Sequence, residues 1–186
     1  NVLNALAALT VAMELGCRFE EVREGLLRFM PARRRFERVL DGEITVISDY
    51  AHHPTEIAAL VRTALAWRRR RLVAVFQPHR YSRTLALGAA FPAAFRGVDE
   101  VVLVPVYAAS EDPLPGGTSE DLLRHFEKSG GVVAHYLASL TEAWDYVGPR
   151  LKAGDVLLVV GAGDVEQLAF RARDAFAEGA GDRSNV

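Results

Sequence analysis

The chain has 186 residues, 50% hydrophobic and 25% charged, with 22 basic against 24 acidic side chains for a formal charge of −2. A chain of this length removes roughly 70% of its unfolded surface from water on folding, which supports one sizeable core without disulfides and leaves no room for a second large domain. Near-neutral charge argues against a nucleic-acid wrapper, and with no apolar run of roughly 18 residues and no signal-peptide pattern, membrane insertion is not expected and the cytoplasm is the expected site of action.

The sequence begins Asn1-Val2-Leu3-Asn4, already inside a helical apolar pattern, and reads as a piece of something longer. From Val2 to Leu15 almost every position is apolar or small, which predicts a helix buried on most sides and in need of partners on more than one face. Gly16 ends it. Phe19, Val22, Leu26, Leu27 and Phe29 then recur at helical spacing in a second, amphipathic helix that closes before Pro31. Residues 1–30 read as the helical end of a preceding domain and residues 31–186 as the domain proper. The single cysteine, Cys17, cannot form an internal disulfide and is expected to be a buried thiol, compatible with a reducing compartment.

After the basic run Arg33-Arg34-Arg35, the segments Phe36 to Leu40 and Ile44 to Ile47 flank the turn pair Asp41-Gly42 and predict a β-hairpin. Apolar runs at Leu72 to Phe76, Val101 to Val106, Val132 to Leu137 and Val156 to Val160 then alternate with helical stretches. That alternation predicts an α/β, doubly wound, mostly parallel sheet. Pro54 sits at a first-turn position, Ser139 with Glu142 forms a capping-box pattern, and Thr118 or Ser119 can cap the helix carrying Leu122, Leu123 and Phe126. The tail from Glu178 to Val186 is expected to fray.

Ligands of open parallel sheets bind beyond the carboxyl ends of the strands. Those ends carry Asp49-Tyr50-Ala51-His52-His53-Pro54, Gln77-Pro78-His79-Arg80-Tyr81-Ser82-Arg83, Tyr107 with Glu111-Asp112, and Gly161-Ala162-Gly163-Asp164, whereas the amino ends carry little but turn residues. Asp49 alone is equally well a turn cap. Gly161-Ala162-Gly163 lacks the third glycine of a dinucleotide fingerprint and reads as a tight turn. The run Arg68 to Arg71 reads as a solvated helix terminus. Arg80 and Arg83 lie across a helix start, where positive side chains oppose the helix dipole. A bound carboxylate or phosphate would resolve that conflict; surface salt bridges are the alternative.

The stretches Asp49-Tyr50-Ala51-His52-His53-Pro54-Thr55-Glu56 and Phe76-Gln77-Pro78-His79-Arg80-Tyr81-Ser82-Arg83-Thr84 resemble the signature stretches of the L-alanine-adding members of the Mur ligase family of peptidoglycan synthesis. Arg34-Arg35-Phe36, Tyr107-Ala108-Ala109-Ser110-Glu111 and Asn1-Val2-Leu3-Asn4 fall at matching intervals, so the resemblance covers essentially the whole chain. Ser110 and Ala51 depart from it, each standing where a glycine is common. The resemblance implies a Rossmann-like carboxyl-terminal domain with a small helical amino-terminal stub, from an enzyme whose amino-terminal and central domains are missing here. It implies ATP and Mg2+ as cofactors, the metal's ligands lying in the central domain, and UDP-N-acetylmuramate and L-alanine as substrates. By the same resemblance Asn1 and Asn4 would contact adenine, Asp49 the ATP ribose, and Arg35 the phosphates. Tyr50, His52, Arg80 and Arg83 would form the alanine pocket, His53 and His79 would be pocket-shaping or structural, and no catalytic residue is assigned. The fragment alone is expected to be inactive. Two other readings are a murein tripeptide recycling ligase, which shares the Asp-x-x-His-His-Pro stretch, and a metal-dependent hydrolase using Asp49, His52, His53 and His79. A non-catalytic regulatory or assembly module is a further reading, because Rossmann-like domains serve many functions.

Overall fold

The computed structural model describes residues 2–29, 32–67 and 70–181, with side chains to residue 177. Asn1 of the expected ATP set, Arg68 and Arg69 of the basic run, and residues 182–186 of the expected frayed tail lie outside the described residues. The chain divides into two compact units, Asn1–Arg33 and Arg34–Val186.

The first unit holds α1 (Val2–Glu14) and α2 (Phe19–Leu27), separated by Gly16 at φ 87°. Both helices form where the apolar spacing predicts them. Burial differs from expectation: no residue of either helix is buried, and Cys17 is exposed. The physical reason is size, because two short helices cannot enclose an apolar face between them.

The second unit is a six-stranded sheet in the order β1-β2-β6-β3-β4-β5. Its strands are β1 (Glu37–Asp41), β2 (Thr45–Asp49), β3 (Leu72–Phe76), β4 (Glu100–Leu103), β5 (Val133–Tyr136) and β6 (Val156–Val160). The hairpin partner β1 is antiparallel to β2, and every other pairing is parallel. The fold expected from the alternating apolar runs is the fold observed. Two strands are shorter than their apolar runs: β5 spans only Val133–Tyr136, and β4 stops at Leu103, two residues before Pro105, which has no N–H to give a ladder.

Each central strand divides its side chains between two cores. Leu72, Ala74 and Phe76 of β3 and Val156, Leu158 and Val160 of β6 face one core, with Ile57, Phe91, Phe95, Leu122 and Phe126. Val73, Val75, Leu157 and Val159 face the other, with Ala143, Val147, Leu168 and Ala172. The first core is closed by α3 (Pro54–Leu65), α5 (Phe91–Ala94) and α6 (Ser119–Ser129), the second by α7 (Leu140–Val147) and α8 (Glu166–Gly181). A short α4 (Tyr81–Leu87) starts the β3–β4 connection. Crossovers are right-handed, so when the chain reverses direction after β5 to place β6 between β2 and β3, its helices must change face.

The helix starts are those the sequence predicts, with two refinements. Thr118 rather than Ser119 caps α6, because Ser119 is buried and donates to the Val104 carbonyl at 2.6 Å. Ser139 caps α7, but the Glu142 carboxylate accepts from Ala138 N–H instead of closing the box on Ser139. α8 continues to Gly181, past the point where fraying was expected.

The amino ends of the strands correct the sequence reading. Asp155, just before β6, is buried and accepts from Arg70 at 2.8 and 2.9 Å, from Arg71 at 3.1 Å and from Lys152 N–H at 3.0 Å. Arg71 also reaches Glu100 at 3.7 Å, and Glu100 accepts from the Tyr146 hydroxyl at 2.8 Å. Arg70 and Arg71 are therefore partners of a buried carboxylate rather than a solvated terminus, since such a group must be paired to stay charged.

Candidate functional site

Because β2, β6, β3 and β4 are adjacent and parallel, the segments leaving Asp49, Val160, Phe76 and Leu103 emerge on one edge of the sheet. β6 enters between strands already made, so this edge is a topological switch point, where open α/β sheets form a crevice.

Four rings run along that edge. Tyr50 meets His52 edge-on at 5.5 Å, His52 lies 5.5 Å from His79, and His79 stacks on Tyr107 at 5.6 Å with 15° between planes. The order follows the strands: the first two rings leave β2, the third leaves β3 and the fourth follows β4. Pairing between the last two segments is regular, with Tyr107 N–H donating to Pro78 O at 2.8 Å and Arg80 N–H to Tyr107 O at 2.9 Å.

That pairing holds Arg80 at φ 72°, a conformation costing an L-residue about 1–3 kcal/mol, and launches α4 from it. The Arg80 guanidinium lies 3.7 Å from Glu111. Glu111 in turn accepts the Ser82 hydroxyl at 2.6 Å and the Ser82 N–H at 3.0 Å, which, with Arg80 behind them, hold its carboxyl below the usual range. Ala109 and Ser110, at φ 49° and 69°, turn the chain so that Glu111 reaches back, so Ser110 occupies a backbone state that glycine adopts without strain. Arg83 folds onto His79, donating to its carbonyl and to its Nδ1, both at 3.1 Å. The chain thus supplies part of the answer to two arginines at a helix start: one faces a carboxylate and the other is tied to a histidine.

His79 is pushed below its ordinary pKa by burial first, then by Arg83, His52 and Arg80, with Glu111 opposing them. Asp49 ends β2 with Oδ2 accepting Phe36 N–H and Oδ1 accepting Ala51 N–H, each at 2.7 Å. Burial pushes its carboxyl up, more than those two N–H groups and Arg35 pull it down. Asp49 therefore performs the turn-capping role read as the alternative. Arg35 is exposed in the same segment. His53 is the N-cap of α3, its Nδ1 accepting Thr55 N–H at 3.3 Å, and Glu56 accepts the N–H groups of His52 at 3.1 Å and His53 at 3.2 Å. Asn4 is exposed on α1, in the other unit.

Two rim residues were missed as anchors. Arg34, at φ 61°, donates to the carbonyls of Gly161 at 2.5 Å and Gly163 at 2.9 Å and packs 5.1 Å from the Tyr50 ring centroid. Gln77 is buried, donating to Asp164 at 2.7 Å and accepting Val165 N–H at 3.1 Å. Together they clamp the β6–α8 bend, where a Cβ on Gly161 would lie 2.8 Å from Gln77 O and one on Gly163 2.5 Å from the Tyr107 ring. Gly161-Ala162-Gly163 is the bend expected, made of glycine because other groups press on it. A buried polar residue directly after an all-apolar strand was the available signal for Gln77.

The metal-hydrolase reading finds no support. His79 Nδ1 and His53 Nδ1 already accept protein donors, both Asp49 oxygens accept backbone N–H groups, and among the described residues no group of His, Cys, Asp and Glu could hold a metal ion. No helix among the described residues is long and apolar enough to cross a membrane.

Residues 34–163 match the family described as Mur ligase, glutamate ligase domain. Over 180 residues the chain is 45% identical to the UDP-N-acetylmuramate--L-alanine ligase of Salinibacter ruber, covering 96% of this chain and 37% of that protein. It is 44% identical over 170 residues to the enzyme of that name from Persephonella marina, covering 91% of this chain and 37% of that protein. The crystal structure of UDP-N-acetylmuramate-alanine ligase MurC from Thermotoga maritima has a TM-score of 0.77 at 33% identity, covering 96% of this chain and 38% of that one. The murein peptide ligase of Psychrobacter arcticus, at 23% identity and TM-score 0.71 over 100% of this chain and 38% of that one, shares the fold. This chain spans less than two fifths of each of these relatives. With a family match over most of its length and relatives above two fifths identity, this chain belongs to the Mur ligase family.

Proposed function

We propose that this chain is the amino-acid-binding part of an ATP-dependent ligase that joins L-alanine to UDP-N-acetylmuramate in the cytoplasm, in peptidoglycan synthesis. Residues 31–186 would be its carboxyl-terminal domain and residues 1–30 the helical end of its central ATPase domain. The observation that carries the reading is the row Tyr50, His52, His79 and Tyr107 on the switch-point edge with Arg80 at its end, in a chain whose relatives bear that ligase name.

The lactyl carboxylate is first phosphorylated by ATP, since oxide is a poor leaving group, and the alanine amine then displaces phosphate from the acyl phosphate. Tyr50, His52, Arg80 and Arg83 would form the alanine pocket, with the two arginines on its carboxylate by charge-assisted hydrogen bonds. Asn1, Asn4, Arg35 and Asp49 would serve ATP, with Asp49 offering only the lone pairs left by Phe36 and Ala51. Closure of the site would position the amine and exclude water from the acyl phosphate. Magnesium would neutralise the phosphates and, as the family resemblance implies, would take its ligands from the central domain. The chain alone would accordingly be inactive.

The test uses the full-length ligase. Phosphate release from ATP should require both UDP-N-acetylmuramate and L-alanine. Release supported by a tripeptide and not by alanine would reassign the enzyme to tripeptide recycling. Arg80→Ala should raise the alanine requirement far more than the ATP requirement, by the equivalent of about 2 kcal/mol or more.

A further inference from the structure

The two neighbouring imidazoles of the rim carry their protons on opposite nitrogens, and their partners dictate which. A carbonyl oxygen only accepts, so the 3.0 Å contact between His52 Nδ1 and Tyr50 O puts the His52 proton on Nδ1 and leaves a lone pair on Nε2. A guanidinium only donates, so the 3.1 Å contact from Arg83 makes His79 Nδ1 an acceptor and puts its proton on Nε2. The rings are 5.5 Å apart. One imidazole of the pair can take a proton on its Nε2, and the other can only donate from that position.

The surroundings favour His52 for the first role. Among the described residues its Nε2 has no hydrogen-bond partner, and its side chain is 21% exposed. Glu56 stands 3.8 Å behind Nδ1 and is charged at neutral pH: burial pushes its carboxyl up, but the N–H groups of His52 and His53, the His52 ring and Arg35 outweigh that and hold it low. A carboxylate behind one nitrogen stabilises the imidazolium that forms when the other is protonated. The remaining groups facing His52 are the Tyr50 ring edge and His79, with Arg83 and Arg80 beyond His79.

We propose that His52 Nε2 accepts the proton of the incoming L-alanine ammonium, an inference that rests on the ligase reading above. Alanine arrives without a nitrogen lone pair. One N–H proton passes to Nε2, giving an imidazolium and a free amine. The amine lone pair attacks the acyl-phosphate carbon, the C–N bond forms, and the C–O bond breaks with its electron pair on the departing phosphate. The second nitrogen proton leaves with that phosphate, and the imidazolium returns its proton to water.

The test compares full-length wild type with His52→Ala and His52→Asn, the second keeping a donor for Tyr50 O. Amide formation with alanine should fall by about 10²- to 10⁴-fold at neutral pH in both variants. Hydroxylamine is neutral at that pH and needs no base, so the deficit in hydroxamate formed from UDP-N-acetylmuramate and ATP should be at least tenfold smaller. The amide deficit should shrink as pH rises toward the alanine ammonium's own pKa, and added imidazole should restore part of the rate to His52→Ala. A deficit equal for alanine and hydroxylamine, constant with pH and untouched by imidazole, overturns the proposal, as does amide formation within twofold of wild type. Wild type that forms neither amide nor hydroxamate overturns the ligase reading itself, and this inference with it.

Discussion

The Glu111 carboxylate holds Ser82 by both its N–H and its hydroxyl, at 3.0 and 2.6 Å, and so fastens the first turn of α4 to the loop that follows β4. Arg80, two residues before Ser82, stands 3.7 Å from the same carboxylate. Glu111→Ala should free both, raising the alanine KM of the full-length ligase several-fold while leaving the ATP KM in place. Glu111→Gln, which keeps an acceptor, should be milder. Steady-state kinetics with each substrate varied in turn reads this out, and equal changes in the two KM values would contradict it.

Arg34 spends its guanidinium on the carbonyls of Gly161 and Gly163 and on the face of Tyr50, with its side chain only 16% exposed. Arg34→Ala should lower the unfolding free energy by about 2–3 kcal/mol, since two carbonyls lose a charged donor. The exposed neighbour is the control: Arg35→Ala should stay within about 0.5 kcal/mol. Urea titrations with unchanged slope would check both, and similar losses in the two variants would contradict the anchor role.

Asp155 gives the acid side of the stability curve a definite sign. Burial pushes its carboxyl up, but hydrogen bonds from Arg71, Lys152 N–H and Arg70 outweigh that and hold it below the ordinary value. A depressed carboxylate stabilises the fold fully above the unfolded pKa of about 3.9, and that contribution is lost as pH falls through the folded pKa. Asp155→Asn should cost about 2 kcal/mol at neutral pH by removing the charged acceptor on which Arg70 and Arg71 converge, Arg71 keeping Glu100 and Arg70 keeping solvent. The gap from wild type should narrow below about pH 4. A gap constant through the acid range would show that the charge is not the source.

Gly163 is pressed by the Tyr107 ring, which an added Cβ would approach to 2.5 Å. Gly163→Ala should destabilise by about 1–3 kcal/mol through overpacking and displace Tyr107 from His79. A thermal unfolding midpoint equal to wild type would mean the bend yields without cost.

Much of this molecule was legible as pattern. The β3 and β6 runs were read to the residue because uninterrupted apolar segments have one use in an α/β chain, as strands buried on both faces. The rim residues Tyr50, His52, Arg80 and Arg83 could be gathered on one edge because parallel strands point their carboxyl ends the same way. Cys17 and α1 are exposed, because apolar composition predicts a tendency to be buried while burial itself needs a neighbour, and α1 is the helix whose apolar faces call for partners.

What the sequence by itself determined was therefore the order and type of the elements and which edge carries the chemistry. Only the tertiary structure decided that β6 enters between β2 and β3, that Arg34 reaches Gly161 across 127 residues of sequence, that Asp155 is the partner of Arg70 and Arg71, and that His52 and His79 hold their protons on opposite nitrogens. Periodicity records how each residue meets its local surroundings, whereas the direction of a hydrogen bond depends on which donor or acceptor the folded chain brings within about 3 Å.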